Sequence, residues 1–402
     1  MLGVCFCLTA INVMDRQLLA ILVEPVKLEF GVSDLAMGLL TGTAFAIFHA
    51  LVGVPISRWA DRGNRRSIIA LGLFAWSALT VATGFAARFW QIFAARVGVG
   101  VGEAVGSGPA QSLLSDYFPP ERRGLALSVH GSGGTLGALA GFALGGLLGE
   151  LYGWRMTFVI FGLPGLLLAG VMWATVREPA RDPGEPLDPL PEVARYLFGL
   201  PAFRQIAFAA ALNAFASYAL LSWNGSFLIR VHQLDLARAG LILGAGTALP
   251  TVLGMWAAGL VADRLGRRDA RWYQWLPAAA SLLCAPFFAF YLLLPNLWVA
   301  TAMLVVASAL NTVWLGLGNA MIQGLARPRM RAVAFAFVIV LNAGVGLGLG
   351  PPAAGALSDL WADRLGPESI RYALLVVVAT YPWAAVHHLR AARTLREDLS
   401  RS

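Results

Sequence analysis

The chain has 402 residues, 58% of them hydrophobic and only 13% charged, with a net charge of +8 and a mean hydropathy of +0.69. Soluble domains carry about 25% charge, so this composition excludes a soluble globular protein and describes a polytopic membrane protein. The positive balance does not point to nucleic acid, because the arginines sit in short loops that alternate along the chain, as the positive-inside rule requires.

About twelve apolar segments are long enough to cross a bilayer, at 1–23, 35–57, 68–87, 89–113, 124–149, 155–176, 203–229, 239–261, 272–294, 297–325, 332–357 and 369–389. Arg58, Arg62, Arg65 and Arg66 follow segment two, and Arg122 and Arg123 follow segment four. Arg264, Arg267, Arg268 and Arg271 follow segment eight, Arg327, Arg329 and Arg331 follow segment ten, and Arg390, Arg393 and Arg396 follow segment twelve. If every segment spans, these loops share one side, which is cytoplasmic. Both termini then lie inside, in a plasma membrane of the bacterial inner-membrane kind. The opposite loops carry more acids, such as Glu24, Glu29 and Asp34. Cys5, Cys7 and Cys284 all lie in apolar runs, and Cys5-x-Cys7 has no second ligand cluster, so they read as packing, with neither metal nor disulfide. No basic n-region or cleavage site marks a signal peptide. The missing polar leader before Met1 points to a chain that starts late or was trimmed.

Segment one carries Asn12, Asp15 and Arg16 within its apolar run, with Leu19 on the same side. Such charges cost several kcal/mol unless they meet partners or a watery cavity, so they mark either a structural ion pair or a substrate and proton site. His49 in segment two reads as a hydrogen bond to a neighbouring helix. Segment four holds Arg96 and Glu103, seven residues apart and so on one helix face. The glycines between them suit close helix packing; no Lys-Ser/Thr follows, which excludes a nucleotide loop. Two acids and two arginines, Asp15, Arg16, Arg96 and Glu103, can pair crosswise, and the spacing leaves the pairing open. His130, at the start of segment five, is a further candidate for a proton relay. Gly137, Gly141 and Gly145 form a small-residue face on segment five, matched by Gly344, Gly346, Gly348 and Gly350 on segment eleven.

The polar stretch 177–202 divides the chain into six-segment halves, 1–176 and 203–390, with a tail at 391–402. It reads as a cytoplasmic linker, with a short surface helix near Tyr196-Leu197-Phe198. The halves look like repeats. Ser57-Arg-Trp-Ala-Asp61-Arg62-Gly63-Asn64-Arg65-Arg66 follows segment two, and Gly259-Leu-Val-Ala-Asp263-Arg264-Leu-Gly266-Arg267-Arg268 follows segment eight. They agree in register at Asp, Arg, Arg and Arg.

This doubled loop motif resembles the major facilitator superfamily, over nearly the whole chain. The resemblance implies an all-α membrane protein of twelve transmembrane helices in two pseudo-symmetric six-helix bundles, with a central cavity and alternating access. Asp61, Arg62, Arg65, Arg66, Asp263, Arg264, Arg267 and Arg268 then form a conformational latch, with Asp116 and Arg331 as the expected partners of Asp61. Asn12-x-x-Asp15-Arg16, the Asn64 of the loop motif and Gly100-Val-Gly102-Glu103-Ala104 resemble the Spinster branch, which is associated with sphingolipids and lysophospholipids. The competing resemblance is to proton-coupled organic-anion symporters, where a proline usually stands in place of Val105.

The embedded charges fall in the first half. Segments seven to eleven offer neutral candidates for a cavity wall: Asn213, Tyr218, Trp223, Asn224, Asn311 and Asn319. One ionic and one apolar wall would suit an amphiphilic lipid; plain apolar packing is the equally weighted alternative. The expected mechanism has Arg16 or Arg96 holding an anionic head group while Asp15, with Glu103, couples protons. Protons, membrane lipids and the amphiphile are the expected partners. No nucleophile elbow, metal cluster or Walker motif points to an enzyme, and no cofactor is expected.

Overall fold

The computed structural model describes residues 1–105, 108–179 and 190–400, without the side chains at 54, 57, 58, 60–62, 120, 121, 328 and 332. The described residues are helical nearly throughout and contain no strand. Nine continuous helical stretches among them are long and apolar enough to cross a membrane. Arg122–Thr175 holds both segments five and six, and Val333–Leu399 holds both eleven and twelve. Segment four is interrupted, as Phe89–Glu103 and Gly108–Tyr117. With these resolved, the expected twelve membrane helices are all present.

Short polar side chains set the helix starts by accepting from exposed backbone N–H groups. Ser33 caps segment two through Ala36 N, Asn64 caps segment three through Ser67 N, and Asn296 caps segment ten through Trp298 N and Val299 N. The asparagine that sets the first loop motif apart from the second is therefore a helix cap. Gly153 turns the chain between segments five and six with φ at +74°, a conformation that L side chains rarely adopt. Segments two, eight and eleven each contain a π-bulge, at Leu39–Thr43, Gly244–Ala248 and Asn342–Leu347. Such bulges reorient the residues beyond them and recur at functional sites.

By packing, the chain divides into two compact units: Met1–Pro183 with Leu221–Ala248, and Gly184–Leu220 with Leu249–Ser402. Segments seven and eight are thus each divided between the units. In the first unit segment five lies against segment one. A Cβ on Gly141 would meet Met14 O and Gln17 Cβ at 2.7 Å, and one on Gly137 would overlap the backbone of Ala10. In the second unit Gly350 meets Phe215 O at 2.5 Å in the same manner. Of the stretch expected to link the halves, 180–189 lies outside the described residues. Its end forms the helix Leu190–Gly199, whose Val193 and Leu197 are buried against Met330 and Val333 in the second unit's core.

Candidate functional site

Segment one places Asp15 and Arg16 on successive positions, about 100° apart around the helix, so they face different partners. Arg96 Nη1 donates to Asp15 Oδ2 at 2.7 Å, and Arg16 Nε donates to Glu103 Oε2 at 2.7 Å. The crosswise pairing that spacing left open is resolved in this way. Thr80, from segment three, donates to Asp15 Oδ1 at 2.8 Å. The Phe45 ring lies under both guanidiniums, with its centroid 4.5 Å from Arg16 Cζ and 5.3 Å from Arg96 Cζ.

Exposure separates the two pairs. Asp15, Arg96 and Glu103 are 4%, 7% and 1% exposed, whereas the Arg16 side chain is 31% exposed. Arg96 is thus the buried counter-ion of Asp15, and Arg16 is the more exposed of the two guanidiniums. Glu103 Oε1 has no hydrogen-bond partner among the described residues, and an unsatisfied buried carboxylate oxygen of this kind calls for a proton, a water or a ligand. A small cavity of about 10 Å³, room for the centre of one water, adjoins Asp15, Thr80 and Arg96. Asn12 is half-buried one turn before Asp15 and contributes to neither pair.

His130 is placed elsewhere. Its Nδ1 lies 3.0 Å from Cys5 O and from Thr9 Oγ1, so it ties segment five to segment one, apart from the Arg16–Glu103 pair. His49 lies 3.3 Å from Gly100 O and stacks on Phe45.

Two charge clusters lie at the ends of the first unit. In the loop motif, Arg65 is buried; its guanidinium donates to Asp116 at 2.6 Å, Glu178 at 2.8 Å and Ser112 at 3.0 Å. Asp116 therefore partners Arg65. The side chains of Asp61 and Arg62 lie outside the described residues, and so does any bond from Asp61. Glu178 also accepts from the Arg66 backbone N–H. In the second motif, Asp263 accepts from Tyr273 at 2.8 Å, while Arg264, Arg267, Arg268 and also Arg331 are exposed. The other cluster escaped the sequence reading. Arg230, at the end of segment seven, donates to Glu24 at 2.6 Å and to both oxygens of Asp34 at 2.7 Å, and Lys27 joins Asp34 at 2.5 Å. Glu24 and Asp34 had counted only as outer-loop acids. Their signal was Arg230, one of two arginines, with Arg238, in a connection where the opposite-side rule expects few.

The proposed apolar-half residues separate by burial. Asn213 is fully buried and bonded inside the second unit, to Ala209 O, Ser281 and His388. Trp223 and Asn224 are buried in the first unit, Trp223 beneath Arg230. Tyr218, Asn311 and Asn319 are half-buried, and Asn311 accepts from Ser217 and Tyr381. Asn213 faces inward because it shares its helix face with Ser217, four residues on, and both turn toward segments nine, ten and twelve.

Residues 5–351 match the family described as the Major Facilitator Superfamily. The chain is 32% identical over 400 residues to an MFS-type efflux pump of Mycolicibacterium smegmatis, covering 99% of this chain and 93% of that one. It is 29% identical over 300 residues to the zebrafish (Danio rerio) sphingosine-1-phosphate transporter SPNS2, covering 69% of this chain and 59% of that protein. A shorter match, 32% over 184 residues, covers 44% of this chain and 40% of a probable galactarate/D-glucarate transporter of Bacillus subtilis. Among solved structures, a bacterial homolog of the human lysosomal transporter Spinster, inward-facing and unoccupied, superposes with a TM-score of 0.90 at 30% identity, over 99% of this chain and 97% of that one.

Proposed function

This chain belongs to the major facilitator superfamily as a Spinster-like, multi-pass membrane transporter, and on that premise we propose that it moves an amphiphilic lipid with an anionic head group, of the sphingolipid or lysophospholipid class, by alternating access coupled to protons. The observation that carries this reading is the unequal exposure of two adjacent ion pairs. Arg16 is part-exposed and can take an anionic head group by charge-assisted hydrogen bonds. In doing so it would exchange Glu103 for the ligand. On this reading Asp15, held by Arg96 and Thr80 beside a water-sized cavity, accepts a proton and loosens Arg96. The neutral cores of segments seven to eleven suit a hydrocarbon tail. The loop arginines support a bacterial inner membrane with both termini cytoplasmic.

A second reading is a proton-coupled symporter of small organic anions such as sugar acids. The similarity to a galactarate/D-glucarate transporter favours it, and the same two arginines would serve. Ligand-induced thermal stabilisation of the purified protein separates the two, because a ligand that binds only the folded state raises its melting temperature by mass action. Lysophospholipids and sphingoid bases are set against hexuronates and aromatic carboxylates at constant detergent. Stabilisation by the amphiphiles alone, lost in Arg16→Ala, supports the lipid reading. Stabilisation by the small carboxylates alone overturns it.

A further inference from the structure

Within the second unit, segments seven and twelve meet where both reach the edge of the apolar span. Gln205 and Phe208 lie near the start of the helix Pro201–His232. Trp383, His387 and Arg390 follow one another along one face of the helix Thr380–Leu399, at helical spacing. The His387 ring lies beside both aromatic rings, its centroid 5.8 Å from that of Phe208 and 6.2 Å from that of Trp383. Its Nδ1 donates to Gln205 Oε1 at 2.6 Å, which ties the two helices together.

Apolar packing gives no reason for this polar pair. Phe208 and Trp383 are 57% and 59% exposed, so this face of the span looks onto hydrocarbon, where a polar group is costly unless it meets a partner. Gln205 Oε1 is taken by His387, and the planar amide then turns Nε2 away from the ring. That Nε2 makes no hydrogen bond among the described residues, and it is not enclosed: Gln205 is half-buried and its amide nitrogen reaches the surface. Arg390 is exposed and close enough for its charge to act on the His387 ring, and it has no carboxylate partner among the described residues. A free amide donor and an unpaired guanidinium thus flank His387 at the rim of an aromatic, apolar surface.

We propose that this face binds an anionic phospholipid of the surrounding bilayer: Arg390 and the Gln205 amide hold the phosphate of its head group, and Phe208 and Trp383 flank its acyl chains. The guanidinium selects an anion by charge-assisted hydrogen bonds. Arg390 opens the charged run that continues with Arg393 and Arg396, which sets it at head-group level, where basic groups attract anionic lipids and aromatic rings are favoured. The exposed rings select a lipid over free phosphate, because an acyl chain covers them and an ion does not. His387 is a positioning residue that acts through Gln205. Every residue of the site belongs to the second unit, so the inference does not depend on which substrate is carried.

The test is native mass spectrometry of the full-length purified protein in mixed micelles with equal amounts of dioleoyl phosphatidylglycerol and dioleoyl phosphatidylcholine. The two lipids share their acyl chains and differ in head-group charge. The unsubstituted protein retains phosphatidylglycerol about fivefold better, the worth of one basic residue at an anionic surface. Arg390→Gln brings that ratio to about one. Gln205→Leu, which changes no charge, lowers it about twofold, the worth of one uncharged hydrogen bond at a wet surface. Arg195→Gln removes the same charge from an exposed position on the helix Leu190–Gly199 and leaves the ratio within about 1.5-fold, as expected of a solvated surface charge. Equal retention of the two lipids by the unsubstituted protein overturns the inference. So does an equal loss in Arg195→Gln and Arg390→Gln, which diffuse attraction would give, or an unchanged ratio in either Arg390→Gln or Gln205→Leu.

Discussion

Replacing Asp15 with asparagine isolates the cost of a buried charge. The asparagine fills the same space and can still accept from Thr80, so the packing is retained. What is lost is the counter-ion of Arg96, a guanidinium only 7% exposed whose Nη1 lies 2.7 Å from the carboxylate. Removing one member of a buried ion pair costs about 3–5 kcal/mol, because the other charge is left without compensation. A guanidinium cannot shed that charge, since it does not deprotonate in proteins. For a unit of this size each kcal/mol moves the melting temperature by about 2–4 °C, so Asp15→Asn should melt roughly 6–20 °C below the unsubstituted protein. Asp15→Asn combined with Arg96→Gln removes both charges and should recover most of that loss. Arg96→Gln alone should cost less, because a stranded carboxyl can take a proton. Tryptophan fluorescence during heating, in one detergent at one pH, reads all four proteins. If Asp15→Asn melts within about 2 °C of the unsubstituted protein, or the double substitution is the least stable, the buried-pair account fails.

Three further outcomes follow from other contacts. Gly141→Leu should separate segments one and five, since even a Cβ there would lie 2.7 Å from Met14 O; transport in proteoliposomes should fall severalfold while the amount of inserted protein is unchanged, and normal transport would show that the contact is not tight. Arg230→Gln strands Glu24, which is 7% exposed, and leaves Asp34 to Lys27; it should cost about 1–3 kcal/mol, less than Asp15→Asn because a stranded carboxyl can take a proton, measured as a lowered melting temperature. The Asp269 carboxyl is held at about 2, first by Arg271 and also by Arg396. Its pairing therefore stabilises the fold fully above the ordinary value near 3.9 and is lost only as pH falls through about 2. Hydrogen-exchange protection at the end of the helix Thr380–Leu399 should be constant from pH 8 to pH 5 and lower throughout in Asp269→Asn.

Much of this molecule is dictated locally, and so it is legible in the chain itself. Hydrophobic length alone demands helices, because an unpaired backbone group cannot persist in hydrocarbon. Arginine placement orders the loops, and the repeated Asp-Arg-x-x-Arg-Arg motif announces two related halves. Asp15, Arg16, Arg96 and Glu103 stand out because charge is costly within a span. Partnership is a different matter, since it depends on how helices far apart in sequence rotate against one another. Only the packed structure joins Asp15 to Arg96 and Arg16 to Glu103, brings Thr80 and Phe45 to them, and leaves Arg16 as the exposed member. The same holds for His130, which is drawn to Cys5 O, and for Asn213, which is turned inward to His388. Arg230 meets Glu24 and Asp34 across about two hundred residues of chain, a contact that no local period encodes. The sequence by itself determined the helices, their number and the charges that must be satisfied; the tertiary structure alone decided which groups satisfy them, because that choice is made by the packing of helix faces and not by spacing along one helix.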